Sequence, residues 1–448
     1  MRVYEGLCGF GARGPGFPQK IKRGRNTLVF TFRRAKVRRM WLLDKMLRRL
    51  IREGAFQVID ADGKIYRYGN SDAPPITVRM TDKGAAAAIA RNPRLGAGEG
   101  YMDGRLVVEP PHDILDVLDL ITANGRWERG GNSRKVLARG SGGLKAWLGR
   151  YNWERRSKRN VAHHYDLSDR LYDLFLDADR QYSCAYFTDR DNSLEQAQAD
   201  KKAHIAAKLL LKPGQKVLDI GCGWGGMALY LNKVADVDVL GVTLSEEQLK
   251  VARRRAEEAG VADRVRFELI DYRKVEGRFD RIVSVGMFEH VGTPNYVRFF
   301  AKCRSLLEDD GVMLLHSIGR MGKPSSPDPW TTKYIFPGGY NPALSEIIGA
   351  SEQTRMICTD IETLRFHYAY TLEHWYQRTN AARDQIVALY DERFFRMWQF
   401  YLAGAICAFR NGGLVNYQLQ YVRRRAALPL TRDYMGETEK AYRAATGG

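Results

Sequence analysis

The stretch Val217-Leu218-Asp219-Ile220-Gly221-Cys222-Gly223-Trp224-Gly225-Gly226 is a short apolar strand that breaks into four glycines. A strand running into a glycine turn and then a helix is how an open α/β sheet lets backbone approach a nucleotide-like ligand. Working outward, strands are expected at 216–220, 237–242, 265–269, 281–285 and 312–317, with helices near 226–234, 246–259 and 295–307. This βαβ series defines an α/β class, a mainly parallel, doubly wound sheet. Val415, Tyr417, Leu419 and Tyr421 alternate as one face of a later strand, expected as an antiparallel edge. Residues 319–370, rich in Pro, Gly and aromatics, follow the fifth strand, at the carboxyl side where such sheets bind ligands.

Read formally, the glycine run contains G-x-G-x-x-G, the dinucleotide fingerprint. A nicotinamide fold also wants an acid at the end of the second strand, about 20 residues on, to hold the ribose. Here that strand ends Gly241-Val242-Thr243-Leu244-Ser245, with no acid. Asp219 ahead of the glycines is foreign to that fingerprint and at home in the D-x-G-x-G of S-adenosylmethionine folds. Asp271, just after the third strand, is placed to reach an adenine amino group, and Tyr272 to pack on the ring. These features together favour a methyltransferase over a dehydrogenase.

At 448 residues, 44% apolar and 27% charged, the chain has room for two or three soluble domains. Its net charge of +19 favours a polyanion, either nucleic acid or an anionic membrane face. Up to residue 60 there are 15 Lys/Arg against 4 Asp/Glu, a local net of +11. No stretch is long and apolar enough to span a bilayer, and residues 1–16 lack a signal-peptide layout, so a cytoplasmic location is expected. Cys8, Cys184, Cys222, Cys303, Cys358 and Cys407 are scattered with no C-x-x-C pair, which argues against a metal site and a disulfide framework.

Residues 1–34 read as a basic, irregular extension. From Val37, the apolar Val37, Met40, Trp41, Leu43, Leu47, Leu50 and Ile51 recur at helical spacing, with Arg38, Arg39, Lys45, Arg48, Arg49 and Arg52 between them. This basic amphipathic helix is either a domain's first helix with a solvated face or a contact for anionic lipid. Strands near 55–59, 64–68 and 75–80, a helix from Thr81 and the glycine-rich 95–104 make a small α+β domain over 35–123. Residues 124–160 read as a linker merging into a helix, 161–425 as the catalytic domain and 426–448 as a tail.

The motifs His164-Tyr165-Asp166-Leu167-Ser168, Tyr182-Ser183-Cys184-Ala185-Tyr186-Phe187, the glycine stretch, Met287-Phe288-Glu289-His290-Val291-Gly292, Leu315-His316-Ser317-Ile318, Phe336-Pro337-Gly338-Gly339 and His367-Tyr368-Ala369 follow in one order. They resemble those of the cyclopropane-fatty-acyl-phospholipid synthase family, which includes the mycolic acid cyclopropane synthases. The resemblance covers about 155–425. Gly98-Glu99-Gly100-Tyr101-Met102-Asp103-Gly104 resembles the N-terminal domain of the bacterial phospholipid enzymes, whereas the extension before about Val37 is longer and more basic than the family pattern. The resemblance implies a class I, seven-stranded Rossmann-like sheet. It implies S-adenosylmethionine as donor, contacting Tyr182, Ser183, Gly221, Gly223, Thr243, Leu244 and Gln248. It implies bicarbonate as a bound general base, held by Cys184 and Ile318 through their backbones and by Glu289, His316 and Tyr368. An unsaturated phospholipid at the inner face of the cytoplasmic membrane would be the substrate, and a homodimer the assembly.

A cis double bond is a weak nucleophile, and a sulfonium is a strong enough electrophile to methylate it. The resulting cation needs a dry channel with π faces, and a base near the new methyl. Phe187, Tyr334, Phe336 and Tyr340 are candidates for the channel wall or are plain core aromatics. Glu289 also fits a helix-start acid and His316 a satisfied core histidine, and Tyr368 alone is unremarkable. Cys184 and Cys222 read as packing, not nucleophiles. Three alternatives compete: an enzyme that methylates the acyl chain without closing the ring, a nucleic-acid methyltransferase and a non-catalytic lipid binder. Neither a flipped-base pocket nor an RNA-binding module is apparent, and the donor site is intact.

Overall fold

In the computed structural model, which describes residues 40–129 and 168–446, the basic segment forms helix α1 (Trp41–Leu50). Leu43, Leu47 and Leu50 bury one stripe of it. Trp41 lies roughly 200° round the helix from Leu43. It therefore sits off that stripe and, with Leu42, stays about half exposed, at 53% and 50%, contrary to its expected place on the apolar face. Strands β1 (Ala55–Ile59), β2 (Ile65–Gly69) and β3 (Ile76–Met80) follow as expected. The Asp60 carboxylate closes the β1–β2 turn by accepting from the N–H groups of Asp62 and Lys64.

The helix expected from Thr81 is two helices, α2 (Ala85–Arg91) and α3 (Pro93–Met102), the second capped by Asn92. Its glycines serve contact. A Cβ on Gly96 would lie 2.6 Å from the Ala88 backbone, and one on Gly98 2.4 Å from the Trp330 indole. Strand β4 (Leu106–Val108) completes a sheet of order β2-β1-β3-β4, and α4 (Ile114–Ala123) follows with an Asp113–Asp116 capping box.

The second sheet opens after α5 (Asp169–Phe175) and α6 (Leu194–Lys208). The glycine stretch supplies β5 (Lys216–Ile220) and the start of α7 (Gly226–Ala235). Next come β6 (Asp238–Thr243), α8 (Glu246–Glu258), β7 (Val265–Leu269), β8 (Phe279–Val285), α9 (Tyr296–Leu306) and β9 (Leu307–Arg320). After α10 (Pro329–Tyr334) and α11 (Leu344–Gln353) comes a strand that was not foreseen, β10 (Ile357–Leu364). Helices α12 (His367–Ala381), α13 (Arg383–Leu389) and α14 (Glu392–Arg410) lead to β11 (Leu414–Val422). The order is β10-β11-β9-β8-β5-β6-β7, parallel except for β11. The late strand is thus antiparallel but not an edge, because β10 covers it.

The expected tail holds helix α15 (Asp433–Thr446), docked on α6 by a His204–Glu439 hydrogen bond at 2.9 Å and an Arg443–Asp200 ion pair. The described residues cluster as one compact unit that includes the N-terminal sheet. One apolar cluster runs from α1 through α4 into α12 and α14. Polar ties cross the same boundary: Tyr376 to Asp113 at 2.6 Å, Arg410 to Asp119 at 3.0 Å and Arg393 to Asp103 at 2.9 Å. The expected extension at 1–34, most of the linker and the start of the His164–Ser168 motif lie outside the described residues.

Candidate active site

The glycine turn sits at the carboxyl end of β5 beside β8, where the strand order reverses and open sheets bind ligands. Gly221 has φ 83°, and a Cβ there would lie 2.9 Å from Cβ of Met287. Gly221 and Cys222 donate to the Val242 carbonyl at 2.9 and 3.1 Å, stitching the turn to β6. A Cβ on Gly223 would meet nothing within 4 Å. That side of the loop borders a cavity of about 1150 Å³.

Asp219 is buried at this end, with Oδ2 unpartnered among the described residues. Burial pushes its carboxyl up to about 7, against the pull of Lys201. A buried carboxylate oxygen without a donor is costly unless a ligand supplies one, as an amine or hydroxyl of S-adenosylmethionine would. Lys201, fully buried on α6, donates to Gln181 at 2.5 Å and to Ser183 Oγ at 2.9 Å. Burial lowers its pKa to about 8. It fixes the Tyr182–Ser183 segment, a role the sequence hides because a helical lysine ordinarily faces water.

At the end of β6, Thr243 Oγ1 donates to Gln248 Oε1 at 3.0 Å, and Ser245 caps α8. Asp271 begins a short 3-10 turn and is gripped by the Arg273 side chain. Burial alone would raise the Asp271 pKa, but the Arg273 bonds hold it below the usual range. Tyr182, Ser183, Gly221, Gly223, Thr243, Leu244, Gln248, Asp271 and Tyr272 all line the same cavity.

Cys184, Glu289, His316, Ile318 and Tyr368 line it too. Glu289 stands on a one-turn 3-10 helix (Phe288–His290) after β8. Its Oε1 accepts from the Ile318 N–H at 2.5 Å, while Oε2 is buried without a partner among the described residues. Burial raises its pKa to about 7. The Ile318 N–H, expected on a bound anion, is therefore already spent on Glu289. His316 is likewise engaged, Nδ1 by Gln418 at 3.2 Å and Nε2 by Asn416 at 2.5 Å. Burial pushes the Cys184 thiol up, so it stays protonated. It also pushes the Tyr368 phenol well above its ordinary value.

Of the four expected channel aromatics, Phe336 and Tyr340 line the cavity and Phe187 and Tyr334 do not. Phe187 is packed among His367, Tyr370 and His374. Tyr334 turns its hydroxyl to Glu99 at 2.9 Å, tying α10 to α3. The rest of the apolar wall comes from residues not expected there: Phe400, Tyr401, Gly404 and Ala408 on α14, and Leu47, Leu50, Ile89, Leu118 and Ile121 from the N-terminal segment.

A family model described as mycolic acid cyclopropane synthetase matches residues 153–419, and one for a domain of unknown function matches residues 42–125. The cyclopropane-fatty-acyl-phospholipid synthase of Escherichia coli (strain K12) is 39% identical over 78% of this chain and 88% of its own. A probable fatty acid methyltransferase of Pseudomonas putida is 40% identical over 63% and 74%. Among solved structures, a cyclopropane synthase from Mycobacterium tuberculosis superposes with a TM-score of 0.57 at 34% identity, covering 59% of this chain and 97% of that one. A mycolic acid cyclopropane synthase complexed with SAH and CTAB gives 0.56 at 34%, with the same coverage. The donor loop, the seven-stranded order and these likenesses agree: the chain is an S-adenosylmethionine-dependent methyltransferase of the cyclopropane-synthase kind and belongs to the mycolic acid cyclopropane synthetase family.

Proposed function

We propose that this enzyme turns cis double bonds in the acyl chains of membrane phospholipids into cyclopropane rings. One observation carries this reading. A single cavity joins the donor loop, the Glu289 carboxyl with its unpartnered Oε2, and an apolar wall shared by α14 and the N-terminal segment. When bound, S-adenosylmethionine supplies an electrophilic methyl: its C–S bond breaks as a C–C bond forms to one alkene carbon, and the ring closes once a proton leaves that methyl. Asp219, Thr243, Gln248 and Asp271 would hold the donor through its polar groups.

A bicarbonate ion fits as the base, because Glu289 Oε2 lacks a donor and the anion's own O–H would be one. Glu289 must be ionised to accept it, so a carboxyl near 7 sets an acid limb of activity close to neutrality. Tyr368, kept protonated by burial, donates to the anion, and Cys184 offers its backbone N–H. Ile318 orients Glu289. Phe336, Tyr340, Phe400 and Tyr401 exclude water and offer π faces to the cation.

The exposed Trp41 and Leu42, beside Lys45, Arg48 and Arg49, support docking on an anionic bilayer at the inner face of the cytoplasmic membrane. Among the described residues no helix is long and apolar enough to cross it. We include the homodimer in this reading, with sedimentation as its check. The test is incubation of the enzyme with methyl-labelled donor and vesicles of unsaturated anionic phospholipid. One methyl-derived carbon per double bond is expected, and none in fully saturated vesicles. Equal incorporation in both would defeat the proposal.

A further inference from the structure

Helix α6 turns two side chains, Gln198 and Lys201, toward the segment from Gln181 to Ser183. Three residues apart, they share one helix face. Gln198 Nε2 donates to the carbonyls of Gln181 and Ser183 at 3.1 and 3.0 Å. Lys201 Nζ donates to Gln181 Oε1 at 2.5 Å and to Ser183 Oγ at 2.9 Å. Lys201 is 0% exposed, and with a pKa of about 8 it is charged at neutral pH. Both of its bonding partners are neutral. Asp177, Asp179 and Asp219 feel its charge only from a distance, and no carboxylate is in ion-pair contact with it among the described residues. A buried cation without a counter-ion is costly, so an anion is needed to complete the arrangement.

Ser183 is the route by which an anion can be met. An ammonium only donates, so Ser183 Oγ is the acceptor of the Lys201 bond, and its own hydrogen is left for another partner. That hydroxyl donates to nothing among the described residues, and Ser183, unlike Lys201, lines the cavity. Asp219 lines the same end with a buried, unpartnered Oδ2. A hydroxyl donor backed by a cation, close to a carboxylate, complements an α-amino-acid head, whose carboxylate and ammonium share one carbon.

We propose that Lys201 is a positioning residue of the donor site: it turns the Ser183 hydroxyl toward the α-carboxylate of S-adenosylmethionine and supplies the buried counter-charge, while Asp219 takes the ammonium. This rests on the donor-end reading above. It also makes the site selective, because a donor without the carboxylate leaves Lys201 unbalanced and the hydroxyl unpaired.

The test titrates the full chain by calorimetry with S-adenosylmethionine and with its decarboxylated form. Wild type is expected to favour the carboxylated donor by about tenfold or more. Lys201→Met keeps the length of the side chain and removes its charge. It should weaken S-adenosylmethionine about tenfold, leave the decarboxylated form within about threefold and so abolish the preference. Ser183→Ala should do the same. The double variant should be little worse than either single one, since all three remove one contact. Wild type that binds both forms equally would overturn the inference without any variant. Equal weakening of both forms in Lys201→Met, as a purely structural lysine would give, would overturn it, and so would a wild-type preference kept by either variant. Affinities for both forms that are unmoved by Gly221→Ala would instead remove the donor-end reading, and this inference with it.

Discussion

The two ends of the cavity are built in different ways. The centre of the proposed donor end is local: Asp219, the glycine turn and the Val242 carbonyl lie within 24 residues and are stitched by backbone bonds, with Tyr182, Ser183 and Asp271 brought in from either side. The proposed acyl end is assembled from α1, α2, α4 and α14, up to about 360 residues apart in the chain, and is closed by apolar packing with polar ties such as Arg410 to Asp119. In the proposed base site Glu289 Oε2 is buried and unpaired among the described residues, as Asp219 Oδ2 is at the proposed donor end. Bonds made within the protein mark what must not move, and bonds left unmade mark what a ligand completes.

The largest effect should come from the proposed base site. Glu289→Gln keeps the shape but cannot accept from bicarbonate as a carboxylate does. We expect turnover to fall by at least 100-fold with donor affinity within about threefold of wild type. A parallel loss of donor binding would mean that the base and donor ends are not separable.

At the donor end, Gly221→Ala forces a Cβ onto φ 83° and against Met287. A cost of about 1–3 kcal/mol is expected. It would be seen as a lower melting temperature and donor binding weakened about tenfold by calorimetry. Unchanged donor binding would show that the turn is not the donor cradle.

At the acyl end, Gly404 lies inside the 19-residue α14, and a Cβ there would meet nothing within 4 Å. Gly404 lines the cavity, so a larger side chain there would fill space assigned to the acyl chain in the proposed function. Gly404→Leu should cut turnover of long-chain substrates about tenfold. Shorter chains should be less affected, and donor affinity unchanged. Equal loss at every chain length would place the acyl chain elsewhere.

The smallest effect is on stability. Burial lifts the Glu289 and Asp219 carboxyls to about 7, from ordinary values of 4.5 and 3.8. The folded state therefore binds these protons more tightly than the unfolded chain. Their contribution is complete below the ordinary values and is lost as pH rises toward 7. Glu289→Gln removes one such loss. Its melting temperature relative to wild type should rise from about pH 4.5 to about pH 8, by the equivalent of about 1–3 kcal/mol. A flat difference would contradict the buried-acid assignment.

The same contrast explains what could be read in advance. Strands β5 and β7 match their expected limits, and the other central strands shift by at most a few residues outside β9, because glycine turns and apolar runs are local signals. Strand β10 was missed because Asp360 and Glu362 interrupt its pattern. Asp360 is buried against Arg432, and Glu362 pairs with Lys208 and His204. The C-terminal helix was read as a tail because its partners, Asp200 and His204, lie more than 230 residues earlier. The glycines in α3 gave no helical pattern in the sequence, and they make close contacts with Ala88 and Trp330. Glu289 and His316 stood out as motifs, and both line the cavity. The amides of Asn416 and Gln418 did not, since in sequence they are merely the polar face of a strand.

Ring closure itself is tested most directly with a donor whose transferred methyl carries three deuteriums. Wild-type enzyme acting on unsaturated phospholipid vesicles should give a product with two deuteriums on the added carbon and no double bond at that position. Fragmentation mass spectrometry and proton NMR read both features at once. A product that keeps all three deuteriums, or one whose added carbon remains part of an alkene, would contradict proton removal with ring closure.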